Sequence, residues 1–347
     1  MGLKILHSAD WHLDSPFASF SAEQREFLRS SQQSIPDRMA SLCHGERCDM
    51  VLLAGDIFDG VPTRETVLKL KQALAECAVP VFISPGNHDH CGLGSVWQEE
   101  VWPENVTVFT GGMESVSIPH LNCRVYGAGY QTMDCPPLLE GFRAEGRERY
   151  CIAVLHADPV GVHSPYCPVT AGQIRESGLD YLALGHIHKG GSLICGDTLC
   201  LWPGCPMGRG WDETGEKGAV VVTLGQEPQT RFIPLGLPRF YDMEADAPRL
   251  LADMLPAQAN SDFYRITLTG ESGADMGEIQ KNLSRFPNLI LRDRRMPETD
   301  LWSDVGEDSL RGVYFRILQE RSRTDPAAVL AAELSQKILS EREVVLP

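Results

Sequence analysis

Five short apolar runs in this chain each end at a side chain able to bind a metal ion. LKILHSA leads to Asp10 and His12, VLLAG to Asp56, and VFISPG to Asn87 and His88. IAVL leads to His156, and YLALG to His186 and His188. Apolar runs of this length fit strands buried on both faces. A polar residue just past the C-terminal end of such a strand escapes the core and points across the top of the sheet. Repeated five times, this pattern predicts strands whose ends surround one polar space.

The intervening segments support that order. Strands predicted at 3–6, 49–54 and 79–84 alternate with helix candidates at 21–43 and 65–77. After residue 99 the chain predicts short strands at 106–109, 116–118, 123–126, 151–155, 181–184, 193–194 and 219–224. Segments 137–148 and 170–177 leave room for helices. The reading is an α/β fold with a second sheet packed on the first. Leu235 to Pro238 mark a domain junction. Beyond it, strands at 263–269 and 288–292 flank a helix at 276–286, and helices are expected at 304–321 and 325–343. The expected division is 1–237, then a small α+β domain at 238–303, then a helical segment at 304–347.

Composition narrows the function classes. A 43% hydrophobic and 22% charged chain is ordinary for a folded soluble protein. No apolar run approaches the roughly 18 residues of a membrane span, and the N-terminus reads as a strand, so no membrane role and a cytoplasmic location are expected. The net charge is −16, and both 1–237 (17 Lys+Arg against 28 Asp+Glu) and the remainder (14 against 19) are acidic. This is not the basic excess of a simple nucleic-acid clamp, which weakens a DNA substrate without excluding one. Eleven cysteines, an odd number with no CxxC pair, read as reduced thiols.

The donor types are informative. Asp and Asn oxygens and His nitrogens, without thiolate, suit borderline divalent ions such as Mn²⁺, Fe²⁺ or Zn²⁺. The eight residues exceed what one ion takes and suit two ions sharing a carboxylate. Two ions roughly 3.5–4 Å apart can clamp a phosphate and generate hydroxide for in-line attack. Each element alone has a plainer reading: VLLAGDIFD as a strand and helix cap, GNHDH as a turn bonding its own backbone, GHIH as two satisfied histidines. Their shared placement beyond strands is what argues for chemistry.

The blocks DWHLDSPF (10–17), GDIFD (55–59), GNHD (86–89), HAD (156–158) and GHIH (185–188) resemble the calcineurin-like metallophosphoesterases. The long first block, the chain length and the small following domain resemble more specifically the DNA repair exonucleases of the SbcD type. The motifs lie within 1–237; beyond 238 the resemblance rests on position and size. It implies a four-layer αββα sandwich of two packed mixed sheets with a small α+β capping domain. It further implies that Asp10, His12 and His188 hold one ion, that Asn87, His156 and His186 hold the other, and that Asp56 bridges them. His88 would stay off the metals and lie beside the scissile phosphate, donating a proton to the leaving oxygen or stabilising charge there. Asp89 would orient His88 or brace the turn. Mn²⁺ is the ion the resemblance implies. The implied function is a DNA exonuclease, with endonuclease action on some structures, working as a homodimer with an ABC-type coiled-coil ATPase.

Arg64 and Lys189 are candidate substrate contacts, with a solvated surface charge as the plain alternative for either, and Arg209 in the loop 205–218 is a third candidate contact. The loop 205–218 is glycine-rich but lacks the phosphate-cradling GxxxxGK[ST] arrangement. Asp14 reads as loop structure, with substrate positioning or support of the metal ligands as the alternative, Asp59 as support for the Asp56 loop, and His90 and His163 as cleft-lining or structural. His7 reads as packed, and the basic cluster 291–297 as a salt-bridged strand edge or a nucleic-acid guide. One rival function keeps the site but acts on a small phosphoester, a reading that the acidic charge favours. Another, a non-catalytic interaction module, is disfavoured because every inferred ligand position keeps a ligating residue.

Overall fold

The computed structural model describes residues 2–161, 163–246, 255, 261–270, 276–295 and 301–339. Residues 296–297 of the basic cluster and 340–347 of the terminal segment therefore lie outside the described residues. The chain divides into two compact units, Met1–Tyr241 with Ser261–Phe263, and Asp242–Asn260 with Tyr264–Pro347. Among the described residues no helix is long and apolar enough to cross a membrane.

In the first unit, β1 (Leu3–Ser8), β2 (Met50–Leu53), β3 (Val81–Ile83) and β4 (Val106–Val108) run parallel as neighbours. β11 (Gly218–Leu224) pairs antiparallel with β1, and β12 (Gln229–Pro234) antiparallel with β11. The second sheet is β5 (Glu114–Ile118), β6 (Cys123–Gly127), β7 (Tyr150–His156), β8 (Tyr181–Gly185), β10 (Thr198–Gly204) and β9 (Lys189–Cys195), in that spatial order. Within it β6, β7, β8 and β10 are parallel. Both sheets are mixed, and every residue of β2, β7 and β8 is buried. That is why these strands read as unbroken apolar runs.

Ile5, Leu52 and Phe82 from the first sheet share one core cluster with Val125, Ile152 and Tyr181 from the second. The other face of the first sheet, through Leu6, Val51 and Ile83, packs on α1 (Ala22–Gln32), α2 (Ile35–Glu46) and α3 (Arg64–Glu76) through Leu28, Met39, Leu70 and Leu74. A four-residue helix, α4 (Val96–Glu99), adds Trp97 to that core. The outer face of the second sheet meets Ile174 of α5 (Ala171–Glu176), with Leu139 and Val169. The four-layer αββα sandwich is thus the observed architecture.

Its fourth layer is thin. The segment 137–148, which left room for a helix, is turns and irregular chain, with Gly141 at a left-handed φ of 69°. Sequence reading also missed β10, interrupted by Pro203, and β12, whose residues are mostly exposed. Asp14 is loop structure: its carboxylate accepts from Thr63 N at 2.7 Å, Thr66 Oγ1 at 2.7 Å and Gln33 Nε2 at 2.8 Å, pinning the start of α3.

The second unit carries most of β13 (Phe240–Asp246) and β14 (Phe263–Thr269) and all of β15 (Leu289–Asp293), with β14 central and parallel to β15. Tyr264, Ile266 and Leu268 are buried, as are Ile279 and Leu283 of α6 (Met276–Leu283). The terminal helices are α7 (Leu310–Ser322) and α8 (Pro326–Leu339). α7 starts later than expected because Ser303–Gly306 forms a 3₁₀ turn. Asp304 Oδ2 accepts from Arg311 Nε and Gln336 Nε2, both at 2.7 Å, linking the turn to both helices.

One close approach positions the site. A Cβ on Gly185, at the end of β8, would lie 1.9 Å from Ala54 O and 2.9 Å from Ala9 Cβ, so the strand ends of the two sheets nearly touch there. Gly185→Ala is expected to destabilise the fold by about 1–3 kcal/mol through forced separation. Gly45→Ala, on α2 with nothing within 4 Å, is expected to be neutral or stabilising by up to about 1 kcal/mol. Urea denaturation of both variants checks the contrast.

Candidate metal centre

Beyond β1 and β2 the backbones continue side by side. Asp10 N donates to Gly55 O at 3.0 Å, His12 N to Asp56 O at 2.9 Å and Leu13 N to Ile57 O at 2.8 Å. This sets Asp10 and His12 next to Asp56. Asp10, His12, Asp56 and His186 all have positive φ (56°, 46°, 50° and 86°), an uncommon backbone for such residues that clusters at functional sites.

The carboxylates are held by one oxygen and offer the other. Asp56 Oδ1 accepts from His88 N at 2.9 Å, while Oδ2 lies 3.4 Å from His156 Nε2 and 3.7 Å from His12 Nε2. Asp10 Oδ1 accepts from His186 N at 3.0 Å, and its buried Oδ2 has no hydrogen-bond partner among the described residues. Burial alone would raise the Asp56 carboxyl, but His156 and His12 hold it well below the usual carboxylate range. Burial would lower His156, yet Asp56 lifts it to about 9.

The imidazoles are oriented from behind. His156 Nδ1 donates to Ala54 O at 2.9 Å, which turns Nε2 toward Asn87 Oδ1 at 3.0 Å and Asp56 Oδ2. His188 Nδ1 donates to Glu213 Oε1 at 2.6 Å, which turns its Nε2 toward His12 Nε2 at 3.1 Å. Without a metal these contacts need a proton on a ring nitrogen; a bound divalent ion would take that proton's place, with the oxygens and ring nitrogens serving as its ligand atoms. One ligand atom each from Asp10, His12, Asp56 and His188 lies within 4.8 Å of the others. Around His156, Asn87 and Asp56 converge, and the His186 ring packs edge-on with centroids 5.2 Å apart. The donor set of carboxylate and amide oxygens and imidazole nitrogens fits a dimetal site.

His88 and Asp89 have different surroundings. His88 is half-exposed, and its Nδ1 lies 3.0 Å from Asp59 Oδ1, which raises its pKa. Asp89 does not orient His88. Its buried oxygens accept from Ile57 N at 2.8 Å, Phe58 N at 3.2 Å and Gly86 N at 2.7 Å, so it braces the turn. Burial pushes Asp89 up to about 7, with Asp56 adding repulsion. Asp59 also lies 3.4 Å from His12 Nδ1, a role beyond the loop support expected of it. The spacing GDIFD carried that signal. Glu213 was missed altogether, since a lone acid in a glycine-rich loop has no periodicity to mark it.

The candidate cations differ. Arg64 lines a groove of about 630 Å³ that includes His88, and Lys189 lines another of about 460 Å³ that includes His188. Arg209 is engaged internally: Nη2 donates to Glu213 Oε1 at 3.0 Å, and Nη1 lies 3.8 Å from Asp59 Oδ1. His90 Nδ1 accepts from Gly92 N, and His163 is exposed. His7 is packed: Tyr181 Oη lies 2.7 Å from its Nδ1, and burial lowers its pKa to about 3.

Residues 3–190 match the calcineurin-like phosphoesterase family. The chain belongs to that family. It is 35% identical over 237 residues to an uncharacterized metallophosphoesterase, YhaO, of Bacillus subtilis, covering 63% of this chain and 57% of YhaO's length. It is also 21% identical over 324 residues to a subunit of the nuclease SbcCD of Staphylococcus epidermidis, covering 83% of this chain and 84% of that protein. Among solved structures it is similar to a dimetal phosphatase from Danio rerio, with 13% identity, 68% of this chain and 97% of that one covered, and a TM-score of 0.44.

Asp89→Ala, which strands three buried amides, is expected to destabilise by about 2–4 kcal/mol. Asp59→Ala is expected to cost less stability while disturbing His88. Thermal denaturation followed by circular dichroism, with the His88 ring read by NMR, separates the two.

Proposed function

We propose that this chain is a metal-dependent phosphodiesterase that hydrolyses DNA, acting as an exonuclease and on some structures as an endonuclease. The observation that supports hydrolysis is the convergence of metal-binding side chains from five strand ends, drawn from both sheets, around one buried carboxylate. In this reading Asp10, His12 and His188 hold one ion, Asn87, His156 and His186 hold the second, and Asp56 serves both. Mn²⁺ is the expected ion, although the donors also suit Fe²⁺ and Zn²⁺. When bound, such ions stabilise the charge that builds on the phosphoryl oxygens.

His88 supplies the proton. Asp59 fixes its Nδ1 and favours the charged ring, leaving Nε2 to donate to the departing oxygen. The deeply buried Asp56, His12 and His156 keep fixed positions because their partners are backbone groups and one another. DNA as the substrate is supported by the similarity to a nuclease subunit along most of this chain. That relative's name marks it as one part of a complex. Exposed Leu310, Ile317, Ile338 and Leu339 on α7 and α8 offer apolar area for a partner such as a second copy or a coiled-coil ATPase.

A small phosphoester substrate is the second reading, favoured by the net charge of −16. Labelled linear and circular DNA and bis(p-nitrophenyl) phosphate, each with Mn²⁺, distinguish the two. Cleavage of all three is expected. His88→Ala should lower kcat by about 10²–10⁴-fold while retaining metal, whereas Asp56→Ala should lose both metal and activity. Hydrolysis of the small diester alone would favour the second reading, and unchanged activity in both variants would sink the site.

A further inference from the structure

We propose that Arg209 is a positioning residue that ties a metal-holding histidine to the proton-donating one, and that it does not contact substrate. This rests on the reading of His188 as a ligand and His88 as the proton donor. Glu213 is the first link. It is 7% exposed, its Oε1 accepts from both His188 Nδ1 and Arg209 Nη2, and its Oε2 accepts from Arg209 N at 2.7 Å. The other side of the same guanidinium faces Asp59, whose Oδ1 is shared with His88 Nδ1 and His12 Nδ1. The chain of contacts therefore runs His188, Glu213, Arg209, Asp59, and then His88 and His12.

The geometry explains why an arginine stands here. Two partly buried carboxylates, each holding a histidine, would repel one another, and a planar fork can face both at once. With its amide on Glu213 Oε2 and its Nη2 on Oε1, Arg209 grips that carboxylate from two directions. Its Nε is buried and has no hydrogen-bond partner among the described residues, so the guanidinium is set by its Nη groups. Removing it would free Glu213 and Asp59 together, and the His188 and His88 rings would lose their fixed tilt. Carboxylates behind ligating histidines typically change metal affinity by about 10–100-fold.

The test titrates the metal-free full chain with Mn²⁺ by calorimetry and measures bis(p-nitrophenyl) phosphate kinetics at saturating Mn²⁺. Arg209→Ala is expected to weaken binding of one ion at least tenfold and to lower kcat, with KM changed less than twofold. Arg209→Lys should recover part of both, and Glu213→Gln should weaken the metal while affecting kcat less. Thermal denaturation of metal-free Arg209→Ala is expected to show a lowered midpoint, because two partly buried carboxylates lose their cation, with Arg209→Lys recovering part of it; if Arg209→Ala does not fold, the Lys and Gln variants carry the comparison. A raised KM with metal affinity unchanged would overturn the proposal and make Arg209 a substrate contact. Wild type that binds Mn²⁺ without hydrolysing any diester would instead overturn the proposed function, while the affinity data would still judge Arg209.

Discussion

The candidate centre depends on one buried carboxylate shared between two sheets. Asp56 stands at the end of β2 and meets His12 from its own sheet and His156 from the other. An ionised carboxylate at 2% exposure is costly unless charge or hydrogen bonds surround it. His88 N supplies one hydrogen bond, and the two imidazoles supply the rest of the stabilisation. The near contact of Gly185 with Ala54 makes this possible, because a wider gap would leave the histidines of the second sheet short of Asp56.

That constraint also accounts for the backbone. Left-handed conformations at Asp10, His12 and Asp56 would be unfavourable in an ordinary loop. Here the paired amides after β1 and β2 over-determine the path, so the strain persists where the side chains must converge. Rigid orientation follows from what stands behind each ring: a carbonyl behind His156, a carboxylate behind His188. The site is held from outside inward.

Much of this was legible in the sequence, for a physical reason. Strands buried on both faces have no polar alternation, so their ends are conspicuous, and Asp56, His156 and His186 could be read directly as strand-end residues. Helix α3 and the strand β3 were visible by periodicity and by Pro85. The thin outer layer was not, because the spacing in 137–148 leaves room for a helix where the chain instead takes turns, with Gly141 left-handed. Strand β12 was hidden because an exposed edge needs no apolar run. The resemblance gave Asp89 the orienting of His88 or the bracing of its turn, and Asp59 read only as support for the Asp56 loop. Only the hydrogen bonds separate them, since chain proximity put Asp89 next to His88 while the fold gave the imidazole to Asp59.

The same separation bears on how an acidic chain meets an anionic substrate. The carboxylates nearest the centre are not free negative charges: Asp56 faces histidines, Asp59 and Glu213 face Arg209, and Asp89 faces amides. Bound cations would neutralise still more, so the formal charge of −16 overstates what an approaching phosphate meets. Arg64 and Lys189 stand farther out, each in a groove that reaches a site histidine, and neither is tied into the inner network. The division follows from burial. Groups inside must satisfy one another to fold, whereas Arg64 and Lys189 line open grooves.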